Sequence, residues 1–167
     1  LWVKNTKFTL KKIGLDDYKN GSIAMFRLSP YDYHRFHMPI DGVITNIIYN
    51  LKPFSNSVKP YILQKNDFNI FNENRFIIIQ FETRYYGIIS FMLVGAVGVD
   101  CIKINKNIKK GTKLQKGDDL GTYLYGGSSC VIFCKKYINW DDDLEYTTRH
   151  IKKEVYVMPG EKIGKID

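Results

Sequence analysis

A chain of 167 residues, 44% hydrophobic and 25% charged, is long enough for one packed domain and too apolar for disorder. Its 25 Lys and Arg against 17 Asp and Glu leave a net charge of +8, which favours anionic partners, nucleic acid or an acidic lipid surface, without choosing between them. Three Cys exclude a disulfide scaffold and point to free thiols in a reducing compartment. No apolar run reaches the ~18 residues of a membrane span. The longest, Tyr86 to Val99, is interrupted by Gly87, Gly95 and Gly98. The chain opens on Leu1 without a basic-then-apolar leader, so it is read as a piece of a longer chain, with targeting signals outside it.

Along the chain, Gly14 and Asn20-Gly21 break the basic N-terminal stretch into short elements. Ser22 to Leu28 (SIAMFRL) has the apolar density of a buried strand. Ser29-Pro30-Tyr31-Asp32 carries a cap residue, a first-turn proline and a first-turn acid, which predicts one helical turn ending before Pro39. Gly42 to Tyr49 is rich in β-branched residues and reads as a strand. Leu51 to Glu73, with Pro53, Pro60 and four Asn, reads as loops. Arg75 to Glu82 and Tyr86 to Val99 read as strands joined by a turn at Thr83-Arg84-Tyr85, and Val99 to Ile104 as a further short strand. Lys116-Gly117-Asp118 is a turn signal. Leu120 to Tyr125 and Cys130 to Lys135 read as strands flanking a turn at Gly126-Gly127. Tyr137 to Arg149 is polar and acidic and is expected to loop out, with a last strand at Glu154 to Met158 before a Pro159-Gly160 turn. Short strands joined by Gly turns give a mainly β (α+β) class with a few short helices.

Two features carry chemistry. His34 and His37 (YHRFH) lie at spacing three and share one face if helical. The plain alternative is a polar pair beside a turn. A metal site is disfavoured, because His-x-x-His here lacks the Glu and third ligand that zinc wants. Cys130 and Cys134, in one strand, stand about 13 Å apart and read as buried thiols. The second feature is Tyr125-Gly126-Gly127-Ser128-Ser129. It matches neither a phosphate-binding loop nor a nucleophile elbow. Taken alone it is a hairpin turn. The chemical reading is a strained Gly-Ser bond whose serine attacks its own preceding carbonyl, with His37 or His34 as base. Lys106, Lys109, Lys110, Lys113 and Lys116 cluster on one loop, but no aromatic ladder interleaves with them, so nucleic acid is set aside.

Taken together, these segments resemble one family. Leu28 to Gly42 (LSPYDYHRFHMPIDG) resembles the His motif of phosphatidylserine decarboxylases, and Lys116-Gly117-Asp118-Asp119-Leu120-Gly121 followed by Gly126-Gly127-Ser128-Ser129 is similar to their self-processing segment. Leu93-Val94-Gly95-Ala96, Val157 to Gly164 and Val3 to Leu10 resemble further blocks, in family order along nearly the whole chain. Three departures stand out. The family's upstream Pro-x-Asp-Gly motif, whose Asp orients the histidine, would precede Leu1, and Asp41 follows the His motif and is not given that role. Val99-Asp100-Cys101-Ile102 stands where Val-Gly-Ser-Ile is usual, and Ser129 stands for the more frequent Thr.

The resemblance implies a single catalytic domain over 1–167, with parts resembling a barrel-sandwich hybrid. It implies self-cleavage between Gly127 and Ser128 into chains 1–127 and 128–167, which stay together. Ser128 would become a pyruvoyl group, the covalent cofactor, with His37 as the base for cleavage and His34 reprotonating the product. Through a Schiff base to that group, phosphatidylserine would lose carbon dioxide to give phosphatidylethanolamine. The implied partners are phosphatidylserine and an anionic membrane surface, with a homodimer left open and no metal. The implied location is a membrane, mitochondrial inner or endomembrane. The competing readings are a non-catalytic β-rich module that binds lipid or a partner through its Lys face, and a related decarboxylase of a soluble amino acid. A pure binding module needs neither Ser128 nor His37.

Overall fold

The computed structural model describes residues 2–3, 6–7, 9–51, 74–95, 102–124 and 128–165. In chain order its strands are β1 (Trp2–Val3), β2 (Thr6–Lys7), β3 (Ser22–Leu28), β4 (Arg35–His37), β5 (Gly42–Asn50), β6 (Phe76–Thr83), β7 (Gly87–Val94), β8 (Ile102–Ile104), β9 (Lys113–Leu114), β10 (Asp119–Tyr123), β11 (Ser128–Cys134), β12 (Asn139–Trp140) and β13 (Gly164–Lys165). Six of them form one antiparallel sheet in the order β3-β11-β7-β6-β5-β9. A second, three-stranded sheet runs β4-β10-β8. The mainly β class holds, and among the described residues no sheet closes into a barrel.

The central strands are apolar at nearly every position because both faces of the large sheet are covered. Phe76, Ile78, Met92, Val94, Val131 and Phe133 pack on one face against Ile13, Leu15 and Tyr18, carried by the 3-10 turns Leu10–Ile13 and Asp16–Tyr18. Ile77, Ile79, Phe81, Phe91 and Leu93 point the other way, onto Phe36, Leu120 and Tyr123 of the small sheet and Met38 just after β4. Burying each such side chain contributes about 1.5–3 kcal/mol. The polar atoms caught in the first layer satisfy one another. Gln80 Nε2 donates to Ser90 Oγ at 3.1 Å, Ser90 Oγ to Tyr18 Oη at 2.9 Å, and Tyr18 Oη to the Ile88 carbonyl at 3.2 Å.

Five expectations need correction. The strands on either side of Gly126-Gly127 do not form a hairpin: β10 pairs with β4 and β8, β11 pairs with β3 and β7 in the other sheet, and β11 begins at Ser128 rather than Cys130. Residues 29–32 form a β-turn, not a helical turn: the Asp32 N–H donates to the Ser29 carbonyl at 3.0 Å, and Asp32 Oδ2 accepts the Ser29 N–H at 2.7 Å. The chain then leaves the turn extended, because residues 35–37 pair with β10. The expected turn at Thr83-Arg84-Tyr85 falls one residue later, since Thr83 still pairs with Gly87. The polar stretch from Tyr137 does not loop out: it holds β12, the helix α1 (Asp142–Tyr146) and a π-helical turn at Thr147–Ile151. Glu154 to Met158 forms no strand, and the last strand is β13. The loops expected from Leu51 to Glu73 lie outside the described residues from 52 on, as do 96–101 and the Gly126-Gly127 turn.

Gly121 sits where β10 passes between its neighbours, with φ +153°. A Cβ there would meet the Lys103 carbonyl oxygen at 2.1 Å and the Phe36 ring at 2.9 Å. Both obstacles belong to paired strands and cannot swing aside. Gly121→Ala is therefore expected to destabilise the fold by about 3 kcal/mol, a value typical of severe overpacking, which a urea unfolding midpoint measures.

Candidate active site

The two histidines project from an extended segment, not from a helix. Burial alternates along β4, with Phe36 buried and Arg35 exposed. Phe36 meets the Tyr123 ring, centroids 5.2 Å apart, and the His34 ring meets the same Tyr123 edge-on at 6.4 Å. His37 has other neighbours. Its ring stacks on Tyr33 at 5.7 Å.

Both imidazoles are oriented by backbone carbonyls. His34 Nδ1 lies 2.6 Å from the Asp32 carbonyl oxygen, and His37 Nδ1 lies 2.9 Å from that of Gly117. A carbonyl can only accept, so each Nδ1 carries the proton and each Nε2 keeps its lone pair. The two Nε2 atoms differ. Tyr33 Oη donates to His37 Nε2 at 2.7 Å, whereas His34 Nε2 has no partner among the described residues.

The Gly117 carbonyl is held in place by its own turn. Asp41 Oδ1 accepts the Lys116 N–H at 2.7 Å and Asp118 Oδ2 accepts the Gln115 N–H at 2.7 Å. The Gly117 N–H donates to Met38 and the Met38 N–H to Asp118, both at 2.8 Å. Gly117 has φ +91°, a conformation that glycine takes without strain. Asp41 thus fixes the turn that orients His37 without touching the ring's Nδ1 itself.

Beside His37, β4 is tied to β10 by charge. Arg35 pairs with Asp119, and Asn105 Nδ2 donates to the same carboxylate oxygen at 2.9 Å. The Arg35 guanidinium, helped by Asn105 and opposed by desolvation, holds the Asp119 carboxyl below the usual carboxylate range.

Ser128 enters the site by its backbone, as the first residue of β11, paired with Leu28. Ser129 pairs with Arg27 on one side and Val94 on the other. Tyr123 joins the histidine segment to this strand. Its N–H donates to the His34 carbonyl at 2.9 Å and its hydroxyl to the Ser129 carbonyl at 2.9 Å. His34 and the start of β11 are therefore brought together through one residue, while the hydrogen bonds of His37 go to Gly117 and Tyr33. Gly127 lies outside the described residues. Tyr33, Tyr123 and the Gly117 carbonyl were not singled out from the sequence. The only available signal was their position inside the two motifs. Cys130 and Cys134 are free thiols on β11, and burial pushes the Cys130 thiol up to about 12 and raises that of Cys134. Both are inert as nucleophiles at neutral pH.

A family model described as phosphatidylserine decarboxylase matches residues 1–165. The chain belongs to the phosphatidylserine decarboxylase family. Among curated relatives, it is 33% identical over 170 residues to a phosphatidylserine decarboxylase proenzyme 2 of Oryza sativa subsp. japonica, covering 98% of this chain and 27% of that protein. It is 35% identical over 170 residues to a phosphatidylserine decarboxylase proenzyme of Fusobacterium nucleatum, covering 98% and 55%. A Clostridium botulinum proenzyme of the same name is 38% identical over 149 residues, covering 89% and 49%. The chain thus spans about half, or less, of the length of the curated relatives it matches. No solved structure matches it. Among the described residues no helix is long and apolar enough to cross a membrane.

The Arg35–Asp119 pair yields a pH test. The folded-state carboxyl of Asp119 titrates below its ordinary 3.8, so its contribution to stability is fully present above that value. It is lost as pH falls through the lower folded-state value. Wild type should therefore melt above Asp119→Asn at pH 7, and the gap should narrow as the pH is lowered below 3.8.

Proposed function

We propose that this chain is the catalytic core of a phosphatidylserine decarboxylase that makes its own cofactor by cutting the Gly127–Ser128 bond. The observation that carries the reading is the convergence, at the start of β11, of the histidine segment and the serine within a chain that matches the family over 1–165. Four features support it: two oriented imidazoles, each with an Nε2 lone pair, a serine at a strand entrance, and a Tyr123 bridge between them.

In the cleavage step, the Ser128 hydroxyl proton passes to His37 Nε2 and the oxygen attacks the Gly127 carbonyl carbon. The Gly127–Ser128 C–N bond breaks, the nitrogen takes up a proton, and an ester links Gly127 to the serine oxygen. Loss of the Ser128 α-proton with departure of the Gly127 carboxylate leaves a dehydroalanine. Its imine tautomer takes up water and releases ammonia, which leaves a pyruvoyl carbonyl at the new terminus. That group supplies a carbonyl to engage the substrate amine and draw electrons as carbon dioxide leaves. The Nδ1–H tautomer imposed by Gly117 leaves Nε2 as the basic nitrogen of His37. For that transfer the half-exposed Tyr33 hydroxyl would have to release its 2.7 Å bond to the same nitrogen. His34 holds the proton returned to the product carbon.

A second reading exchanges the two histidines. It is favoured by His34 Nε2, which has no partner among the described residues, and by the shared contact with Tyr123. Intact mass decides between them. Ser128→Ala should leave one uncut polypeptide and no decarboxylation; activity in that variant would end the reading. His37→Ala should stay uncut, and His34→Ala should cut but turn over slowly. The reverse pattern would exchange the roles.

The substrate is a lipid, so the protein works at a membrane surface, and the net charge of +8 favours an anionic one. Each cation near the surface contributes about 1 kcal/mol, and the effect fades within a Debye length. Sedimentation with phosphatidylserine-containing vesicles should therefore exceed that with neutral vesicles and weaken as salt rises.

A further inference from the structure

Tyr123 has a role that packing alone does not explain. Its ring fills the apolar space between Phe36 and His34, and a Phe ring would fill the same space. The hydroxyl adds one interaction among the bonds described, its 2.9 Å bond to the Ser129 carbonyl. Both residues are buried, at 4% and 3% exposure, so no water competes for that bond. A buried Tyr hydroxyl commonly finds some acceptor. Here the acceptor is one residue beyond the serine that the proposed reaction transforms.

The two partners also fall on opposite sides of the proposed cut. Tyr123 ends β10 in what would become chain 1–127, and Ser129 would be the second residue of chain 128–167. After cleavage, residue 128 becomes a strand terminus, and strand termini fray. The ladders to β3 and β7 hold the strand as a whole. The Tyr123 hydroxyl adds a side-chain bond at the very end that must stay fixed.

We infer that Tyr123 is a positioning residue whose hydroxyl pins the first residues of β11, aligning Ser128 for cleavage and holding the transformed residue 128 in register for turnover. This rests on the reading of Ser128 as the self-processing serine. The bond acts across the cut, so its loss is felt in both reactions. It touches neither the scissile bond nor the substrate amine, so it leaves substrate affinity unchanged.

The test is Tyr123→Phe in the full-length protein, compared with wild type for the rate of cleavage by intact mass, for kcat and KM on phosphatidylserine, and for melting temperature. Expected are cleavage slowed about tenfold, the rate equivalent of one buried hydrogen bond, and a lower kcat at unchanged KM in the fraction that has cut. Melting within a few degrees of wild type separates this from a general loss of fold. Cleavage and kcat at wild-type values would overturn the inference and leave the reading of Ser128 intact. So would a raised KM with unchanged kcat, or losses that disappear when both proteins are compared at equal distance below their melting points. If wild type itself is never cut at Gly127–Ser128, the reading of the site fails and this inference fails with it.

Discussion

The site depends on the placement of β11 inside the sheet rather than at its edge. The strand pairs through seven residues with β3 and through six with β7, so hydrogen bonds hold it from both sides. Val131 and Phe133 face one apolar layer, and Cys130, Ile132 and Cys134 the other. A strand anchored in this way keeps its register when the chain leading into it is interrupted. An edge strand, paired on one side only, would leave at its free end. The segment after β11 is tied back to the earlier part of the chain as well. The Ile138 N–H donates to Ser22 Oγ at 2.8 Å, and Arg27 holds Glu154 through both carboxylate oxygens. The proposed cut between Gly127 and Ser128 would fall just before this doubly paired strand and would cost it none of that pairing.

Three strands of the large sheet, β3, β5 and β6, were legible because nothing in them competes with being strands, whereas the two-residue β9 was not foreseen and β11 begins at Ser128, two residues before the expected Cys130. Ser22 to Leu28 was expected with the bounds observed, and β5 and β6 to within a residue. Their β-branched and aromatic density, bounded by Gly or Pro, has one reading. The turn at Ser29 was less legible because its residues suit two structures. Serine, proline and an acid three residues on describe a helix start and also a β-turn closed by the acid. The choice is made by β10, more than 80 residues away, which claims Arg35 to His37. The C-terminal errors have the same origin. Asp142, Asp143 and Glu145 were read as polar loop, yet acids in a first turn favour a helix N-terminus, and Glu145 adds an ion pair to Arg149 at 2.8 Å. Glu154 to Met158 alternates as a strand should, but no neighbouring strand in the described part claims it, and Tyr156 and Met158 lie exposed.

The sequence offers the residue types of the candidate site but not their structural partners. His37 is oriented by a backbone carbonyl 80 residues distant, and any residue type supplies a carbonyl. Only the three-dimensional turn, set by Asp41 and Asp118, decides that Gly117 presents its oxygen there. Tyr33 and Tyr123 belong to a chain with 12 Tyr, so their composition carried no signal. Their importance comes from what they meet.

The spacing of the histidines takes a different meaning once the backbone is known to be extended. On a helix, residues three apart share a face and would act as a pair. In extended chain they stand about 10 Å apart by strand rise and point to different sides. The contacts follow that rule: His34 shares Tyr123 with Phe36, while His37 stacks on Tyr33 and meets Gly117. Two imidazoles so placed cannot serve one proton in concert. Each has its own carbonyl to fix its tautomer and its own surroundings at Nε2, one nitrogen open and the other covered by a phenol. The extended backbone thus separates the two imidazoles along one short segment, and under the proposed reaction each of its two proton transfers, cleavage and then product formation, would have its own ring.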